Sequence, residues 1–247
     1  GRASMEMFAR EVVAQGFSHY GFSPHSPIPI ESPCNMLKID VPVYLEEVNR
    51  IKNTYGDKAK FYASMEIDYL GKEWGPAHEY FQDLPLDYRI GSVHFIPSQS
   101  GEMIDIDGSF ENFDCKMERY FAGDIRYVVE TFYKQSIDMV NACGFDLIGH
   151  FDKICNNASH YCPGIEDELW YQVLVSELIE AIIAQKLTVE INTKAWDKHT
   201  RFFPHSRYWK RLIEAQVPII INSDAHYPHL INAGREEALK QLNEYII

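Results

Sequence analysis

Six imidazole and carboxylate side chains stand where short strand-like runs stop. Tyr20 to Pro24 leads to His25, and Phe61 to Met65 leads to Glu66. Ile90 to Val93 leads to His94, and Phe145 to Gly149 leads to His150. Val217 to Asn222 runs into Ser223-Asp224-Ala225-His226. Parallel barrels and open α/β sheets build their sites at the C-terminal ends of strands. Imidazoles and carboxylates gathered on one such rim suit zinc, manganese or iron. One histidine at a strand end is more often a hydrogen-bonded structural residue. The joint pattern carries the metal reading, and it points to a metal-dependent enzyme. Residues i and i+2 of a strand share a face, so Asp224 and His226 are expected to point together into the barrel mouth. Glu66, with two oxygens, is suited to bridge two ions.

The elements that position these residues alternate between strand and helix. A helix is expected over 5–15 with Ser4 as N-cap, and Gly16 stops it. Strands are expected at 20–24, 60–69, 88–96, 145–150, 187–192 and 218–223. Helices are expected at 44–55, 77–84, 121–144, 166–185, 204–216 and 233–245. Prolines 24, 27, 29 and 33 mark a loop, and the acidic, turn-rich 101–113 reads as an excursion over the rim. This alternation favours one domain, 1–247, built as a parallel α/β barrel, over two smaller domains. The chain opens on a helix, whereas such a barrel normally opens on a strand.

Basic residues follow the strand that carries Glu190. Arg201 and His205 flank Phe202-Phe203-Pro204 in a βα loop on the same rim. Guanidinium matches phosphate geometrically, so these two are the candidates for binding a phosphoryl group. Lys210 and Arg211 read as a solvated helix face. Arg2 is a further candidate for the rim. Among the other histidines, His19 and His78 read as solvated surface, and His160 and His229 lie in loops. No GxSxG elbow, P-loop or GxGxxG occurs, and neither Cys155 nor Cys162 is marked as a nucleophile.

The formal charge is −13, from 23 basic and 36 acidic residues. That argues against nucleic-acid or anionic-membrane surfaces, which need spread positive charge. It leaves room for a small phosphorylated substrate, because bound divalent ions invert the local field. Five cysteines, irregularly spaced and without a CxxC, fit a reduced cytoplasmic protein. Neither a signal peptide nor a bilayer-spanning run is expected. Oligomeric state is not legible.

Taken in order, these motifs resemble the PHP (polymerase and histidinol phosphatase) superfamily, and within it the histidinol-phosphate phosphatases. Ser23-Pro24-His25-Ser26-Pro27 is similar to the family's second motif, and Met65-Glu66-Ile67-Asp68-Tyr69 to its metal-bridging glutamate segment. Gly91-Ser92-Val93-His94-Phe95 is similar to the next, and Gly149-His150-Phe151-Asp152-Lys153 and Asn222-Ser223-Asp224-Ala225-His226 to the last two. The resemblance implies a distorted barrel of seven parallel strands, TIM-like, with a cluster of up to three ions. It implies Glu66 bridging two of them, Asp224 on one, His94 and His150 on the other, and His25 with His226 on the third. Two departures stand out. The family's His-x-His first motif does not occur ahead of the helix at 5–15, so a preceding first strand is expected outside this sequence. Pro24 stands where the family more often has aspartate.

The reaction expected is phosphomonoester hydrolysis. Metals would lower the pKa of a water that attacks phosphorus in line. Arg201 or His205 would neutralise phosphoryl oxygens, and Asp152 is a candidate acid for the leaving group. The resemblance implies L-histidinol phosphate as substrate, in histidine biosynthesis. The acidic 101–114 stretch offers an attraction for its ammonium group, against the reading of a solvated loop. Three rivals stand beside this: a PHP phosphoesterase for a sugar phosphate, nucleotide or phosphotyrosine; a metal-dependent amidohydrolase; and a non-catalytic metal-binding barrel. The amidohydrolase reading wants a lysine at a strand end, and none is convincing in the sequence.

Overall fold

The computed structural model describes residues 3–245. Arg2 lies outside them. The chain begins α1 (Met5–Ala14), β1 (His19–Phe22), α2 (Val41–Tyr55), β2 (Lys60–Asp68), α3 (Glu79–Gln82) and β3 (Tyr88–Ser92). A small antiparallel pair follows, β4 (Phe95–Pro97) and β5 (Met103–Asp105), then α4 (Phe110–Phe121) and α5 (Ile125–Ala142). The last stretch is β6 (Leu147–Ile148), α6 (Ile154–Tyr161), α7 (Leu169–Gln185), β7 (Thr188–Asn192), α8 (Trp196–His199), α9 (Trp209–Glu214), β8 (Ile219–Asn222) and α10 (Arg235–Asn243).

Six strands form one parallel sheet in the order β1-β2-β3-β6-β7-β8. All six expected strands are in it. β2 is the long central strand, with Phe61, Ala63, Met65 and Ile67 buried on one face and Ser64, Glu66 and Asp68 on the other. A strand buried on both faces is what a parallel sheet covered by helices requires. The sheet curls, because residues of both edge strands, Tyr20 of β1 and Ile221 of β8 among them, line one cavity of about 1200 Å³. Among the described residues β1 and β8 do not pair with each other, so the six strands make a partial barrel.

Two apolar clusters hold it. Phe8 and Val12 of α1, Val48 and Ile51 of α2 and the apolar face of β2 make one. The other packs α4, α5, α6 and α7 against β4, β6 and β7, with Met117, Phe132, Met139, Ile154, Leu178 and Val189 in it. Burying side chains of this size contributes roughly 1.5–3 kcal/mol each.

Four expected segments divide differently. The strand expected over 88–96 stops at Ser92, and Phe95 starts a separate pairing with β5. His94 therefore stands in a break and not at a strand tip. The 101–113 stretch is only partly loop, since Ser109 caps α4 by accepting from Asn112 N–H. The helix expected over 121–144 begins at Ile125. Ala122 and Gly123, both at positive φ, end α4, and Asp124 caps α5. The region 204–216 yields only α9 and a preceding 3₁₀ turn. His19 lies on strand β1 and is exposed, while His78 caps α3 and packs on Trp74.

Candidate metal centre

Glu66 is the hub. Its side chain leaves the buried polar face of β2, and its backbone is clamped to the chain after β1. Ser26 N–H donates to Glu66 O at 2.8 Å, and Glu66 N–H donates to Pro24 O at 3.0 Å. That bridge extends the β1–β2 register beyond Phe22 and fixes His25 beside Glu66. His150 Nε2 lies 2.9 Å and His94 Nε2 3.5 Å from Glu66 Oε1, and His25 Nδ1 lies 3.5 Å from Oε2. One carboxylate thus faces three imidazoles. The Ser92 hydroxyl donates to Oε1 at 2.8 Å. Gly149 is required here, because a Cβ at that position would meet Ser92 Oγ at 2.5 Å.

His94 and His150 bring their Nε2 atoms to 3.2 Å. Two imidazole lone pairs at that distance need a proton or a cation between them. The far side of His94 is held by Asp68, whose Oδ1 is 2.7 Å from His94 Nδ1. Asn35 donates to the other oxygen of Asp68 at 2.8 Å. Sequence reasoning quoted Asp68 within its motif without giving it a role. The signal was present: Asp68 is two residues beyond Glu66, on the same face of the strand.

The electrostatics follow from this packing. Burial opposes the charge on Glu66, but His25, His94 and His150 around it hold its carboxyl well below the usual range. Burial would lower the His94 imidazole, yet Asp68 and Glu66 outweigh it and raise it to about 9. His25 is lowered by burial. The donor atoms of Glu66, His94 and His150 lie within 4.8 Å of one another, as do those of His25, Asp68 and His94. Imidazole nitrogens and carboxylate oxygens at such spacing are the donor set that zinc and its neighbours take. A carboxylate on the far ring nitrogen of a ligating histidine is the usual support for one. The residues fit a divalent ion.

A second arm comes from β7 and β8. Asp224 and His226 line the same cavity as His25 and Glu66. They do not share a strand face, because β8 ends at Asn222 and Asp224 turns to φ 47°. That left-handed conformation is uncommon outside glycine, though aspartate tolerates it. It lets His226 Nδ1 come within 3.0 Å of the Asp224 carbonyl. Asn192 donates to Asp224 Oδ2 at 3.2 Å, and Lys194 Nζ donates to the same oxygen at 3.1 Å. Glu190, buried and raised by that burial, accepts from His150 N–H at 3.0 Å and from Asn222 at 3.0 Å. It ties the two arms together. Glu190, Asn192 and Lys194 were not singled out from sequence, although Glu190 and Asn192 are spaced i, i+2 on one strand.

Arg201, His205 and Asp152 form a separate cluster and do not line the cavity. The Arg201 fork is engaged by Glu166, at 2.9 and 2.6 Å. The expectation of an open guanidinium on the rim is therefore corrected: a buried carboxylate from the turn before α7 takes both donors. His205 N–H donates to Asp152 Oδ2 at 2.8 Å, and the His205 ring accepts from Arg207 N–H at 3.0 Å. Asp152 is fully enclosed, and burial pushes its carboxyl up to about 7 against the opposing Arg201 and His205 N–H. The acidic 101–114 stretch is partly neutralised within the fold. Asp105 pairs with Lys116 at 3.2 Å and Asp107 with Lys153 at 2.6 Å. No helix among the described residues is long and apolar enough to cross a membrane.

Residues 1–194 match the family model described as PHP domain. A protein of Schizosaccharomyces pombe named "Probable histidinol-phosphatase" is 25% identical, over 98% of this chain and 81% of its own length. One of Deinococcus radiodurans with the same name is 23% identical, over 96% and 85%. Among solved structures, a provisionally assigned histidinol phosphatase of Listeria monocytogenes superposes with a TM-score of 0.81 at 18% identity, over 95% of this chain and 93% of its own. Histidinol phosphate phosphatase of Lactococcus lactis, complexed with zinc, L-histidinol and phosphate, gives 0.68 at 17% identity, over 98% and 87%.

Proposed function

The chain belongs to the PHP domain family, and from that premise we propose that it is a metal-dependent phosphomonoesterase acting on L-histidinol phosphate. The observation that carries the reading is the Glu66 carboxylate facing His25, His94 and His150 at 2.9–3.5 Å. Relatives named as histidinol-phosphatases over nearly the whole chain support the choice of substrate.

Glu66, His94 and His150 would hold one ion, Glu66 and Asp224 another, and His25 with His226 a third. Zinc is favoured by the Lactococcus lactis complex, and manganese and iron suit the same donors. A divalent ion there supplies Lewis acidity and a water of lowered pKa. The chain's own part is positional. Asp68 fixes the His94 tautomer so that Nε2 faces Glu66. Ser92 fixes one Glu66 oxygen. Glu190 anchors the His150 backbone and, through Asn222, the end of β8. The cavity beside them opens between β1 and β8 and is wide enough for a phosphorylated amino alcohol.

Asp152, Arg201 and His205 enter the proposal as a separate cluster outside the cavity. Asp152 holds the His205 backbone, and Glu166 holds Arg201. A direct role for Arg201 on phosphate requires the guanidinium to exchange Glu166 for the substrate, which its fork geometry allows.

The test is phosphate release by metal-loaded protein across a panel of histidinol phosphate, a sugar phosphate, a nucleotide and phosphotyrosine. Preference for histidinol phosphate, abolished by a chelator and restored by zinc or manganese, is the expected result. Preference for another ester would move the chain to a different phosphoesterase activity, and no release from any would remove the reading.

A further inference from the structure

Lys194 occupies a position that the reaction scheme does not use. It follows β7 by two residues, with its side chain 40% exposed. Its ammonium donates to Asp224 Oδ2 at 3.1 Å and lies 3.4 Å from His226 Nε2. His226 Nδ1 faces the Asp224 carbonyl at 3.0 Å. If that nitrogen carries the proton, Nε2 presents its lone pair to the lysine. The ammonium therefore sits on the same two lone pairs that Asp224 and His226 would offer to an ion.

Among the described residues the other arm has no such occupant. There the ammonium of the half-buried Lys153 is bound to Asp107 at 2.6 Å. Around the side chains of Glu66, His94 and His150, the close partners among the described residues are imidazoles, the Asp68 carboxylate and the Ser92 hydroxyl. The buried arm and the rim arm thus present different competition to a metal.

We propose that Lys194 is a built-in competitor for the rim arm of the metal centre, an internal cation that a divalent ion must displace from Asp224 and His226. This rests on the metal-centre reading above. Metal ligands must offer free lone pairs, and whatever occupies those pairs in the metal-free protein weakens apparent affinity. An ammonium on a flexible stem at the surface is easily displaced, because water takes over its three donors. Asp224 keeps its bond from Asn192 when the lysine leaves. The consequence is a centre of unequal arms: a tightly held ion among Glu66, His94 and His150, and a weaker, exchangeable ion at Asp224 and His226.

The experiment is a zinc titration of the metal-stripped protein against a chelator of known affinity, with no substrate present. Wild-type should show a tight and a weak class of sites. Asp224→Asn should remove the weak class. Lys194→Met should tighten that class about tenfold, the scale of one charge-assisted hydrogen bond removed from competition. Lys194→Arg, which keeps the charge, should stay near wild-type. Thermal melts of all variants check that each is folded, and Lys194, being at the surface, is not expected to matter to folding. Unchanged or weaker zinc binding by Lys194→Met overturns the proposal while leaving the metal centre intact. Zinc binding by Asp224→Asn identical to wild-type would mean that no ion uses Asp224. That outcome overturns the metal-centre reading of the rim arm, and the proposal with it.

Discussion

Asp68 Oδ1 stands 2.7 Å from His94 Nδ1, with the carboxylate fully enclosed and its other oxygen taken by Asn35. The pair turns His94 so that Nε2 faces Glu66. Asp68→Ala should therefore lower zinc affinity or phosphate release about 10–100-fold, the cost typical of losing a carboxylate behind a ligating histidine. It should also destabilise the fold by about 1–3 kcal/mol, since a buried donor loses its partner. Zinc content by elemental analysis and initial rates check both. Full zinc loading with wild-type rates would leave Asp68 a purely structural acid.

Glu66→Gln should give a folded, cooperatively melting protein whose phosphate release falls by about 100-fold or more, beyond what loss of a merely orienting carboxylate costs. The amide offers one carbonyl oxygen where the carboxylate offers two. Near wild-type turnover at full metal loading would remove the bridging role.

Gly149→Ala tests the tight approach of two strands at the centre. Its Cβ would meet Ser92 Oγ at 2.5 Å, so the hydroxyl must leave Glu66. Overpacking of this kind costs about 1–3 kcal/mol. Adding Ser92→Ala relieves the clash, so the double variant should melt higher than Gly149→Ala alone. Strictly additive losses would show that the serine is not the obstacle.

The Arg201–Glu166 pair separates two roles for Arg201. Removing the arginine strands a buried carboxylate, so Arg201→Ala should destabilise by about 3–5 kcal/mol, and Glu166→Gln added to it should recover part of that. If the guanidinium also serves phosphate, KM rises or kcat falls in both the single and double variants with metal content unchanged. Kinetics that return to wild-type in the double variant would confine Arg201 to its structural pairing with Glu166.

Asp152 makes a prediction about pH. Burial raises its carboxyl in the folded protein to about 7, from an ordinary 3.8. The folded state then binds the proton more tightly than the unfolded chain. Its contribution to stability is full below about pH 4 and is lost as pH rises through about 7. Asp152→Asn lacks this dependence. The stability of wild-type minus that of Asp152→Asn, from urea melts of metal-stripped protein, should fall between pH 4 and 7 by at most about 4 kcal/mol, and level off above. A flat difference would mean that the carboxyl is charged throughout.

The sheet and most of its helices were legible in the chain. Apolar runs of strand length alternate with helical periodicities, and each run has only one way to bury both faces. The residues around Glu66 were legible for the same reason, since a side chain next to a strand's C-terminal end in a parallel sheet has its position set by the strand. The tertiary structure alone decided what those side chains touch. Asp68 and Glu66 share a face of β2, yet only the break after β3 turns His94 back onto both. Asp224 and His226 meet through a left-handed turn that periodicity does not encode. Arg201 read as an open cation, because nothing local announces that Glu166, 35 residues earlier, will close on it. Nothing in the local sequence marks Lys194, which meets Asp224 only because β7 and β8 lie side by side. Sequence spacing sets which groups reach the rim; the pairing of charges across it depends on contacts between distant segments, which only the folded chain brings together.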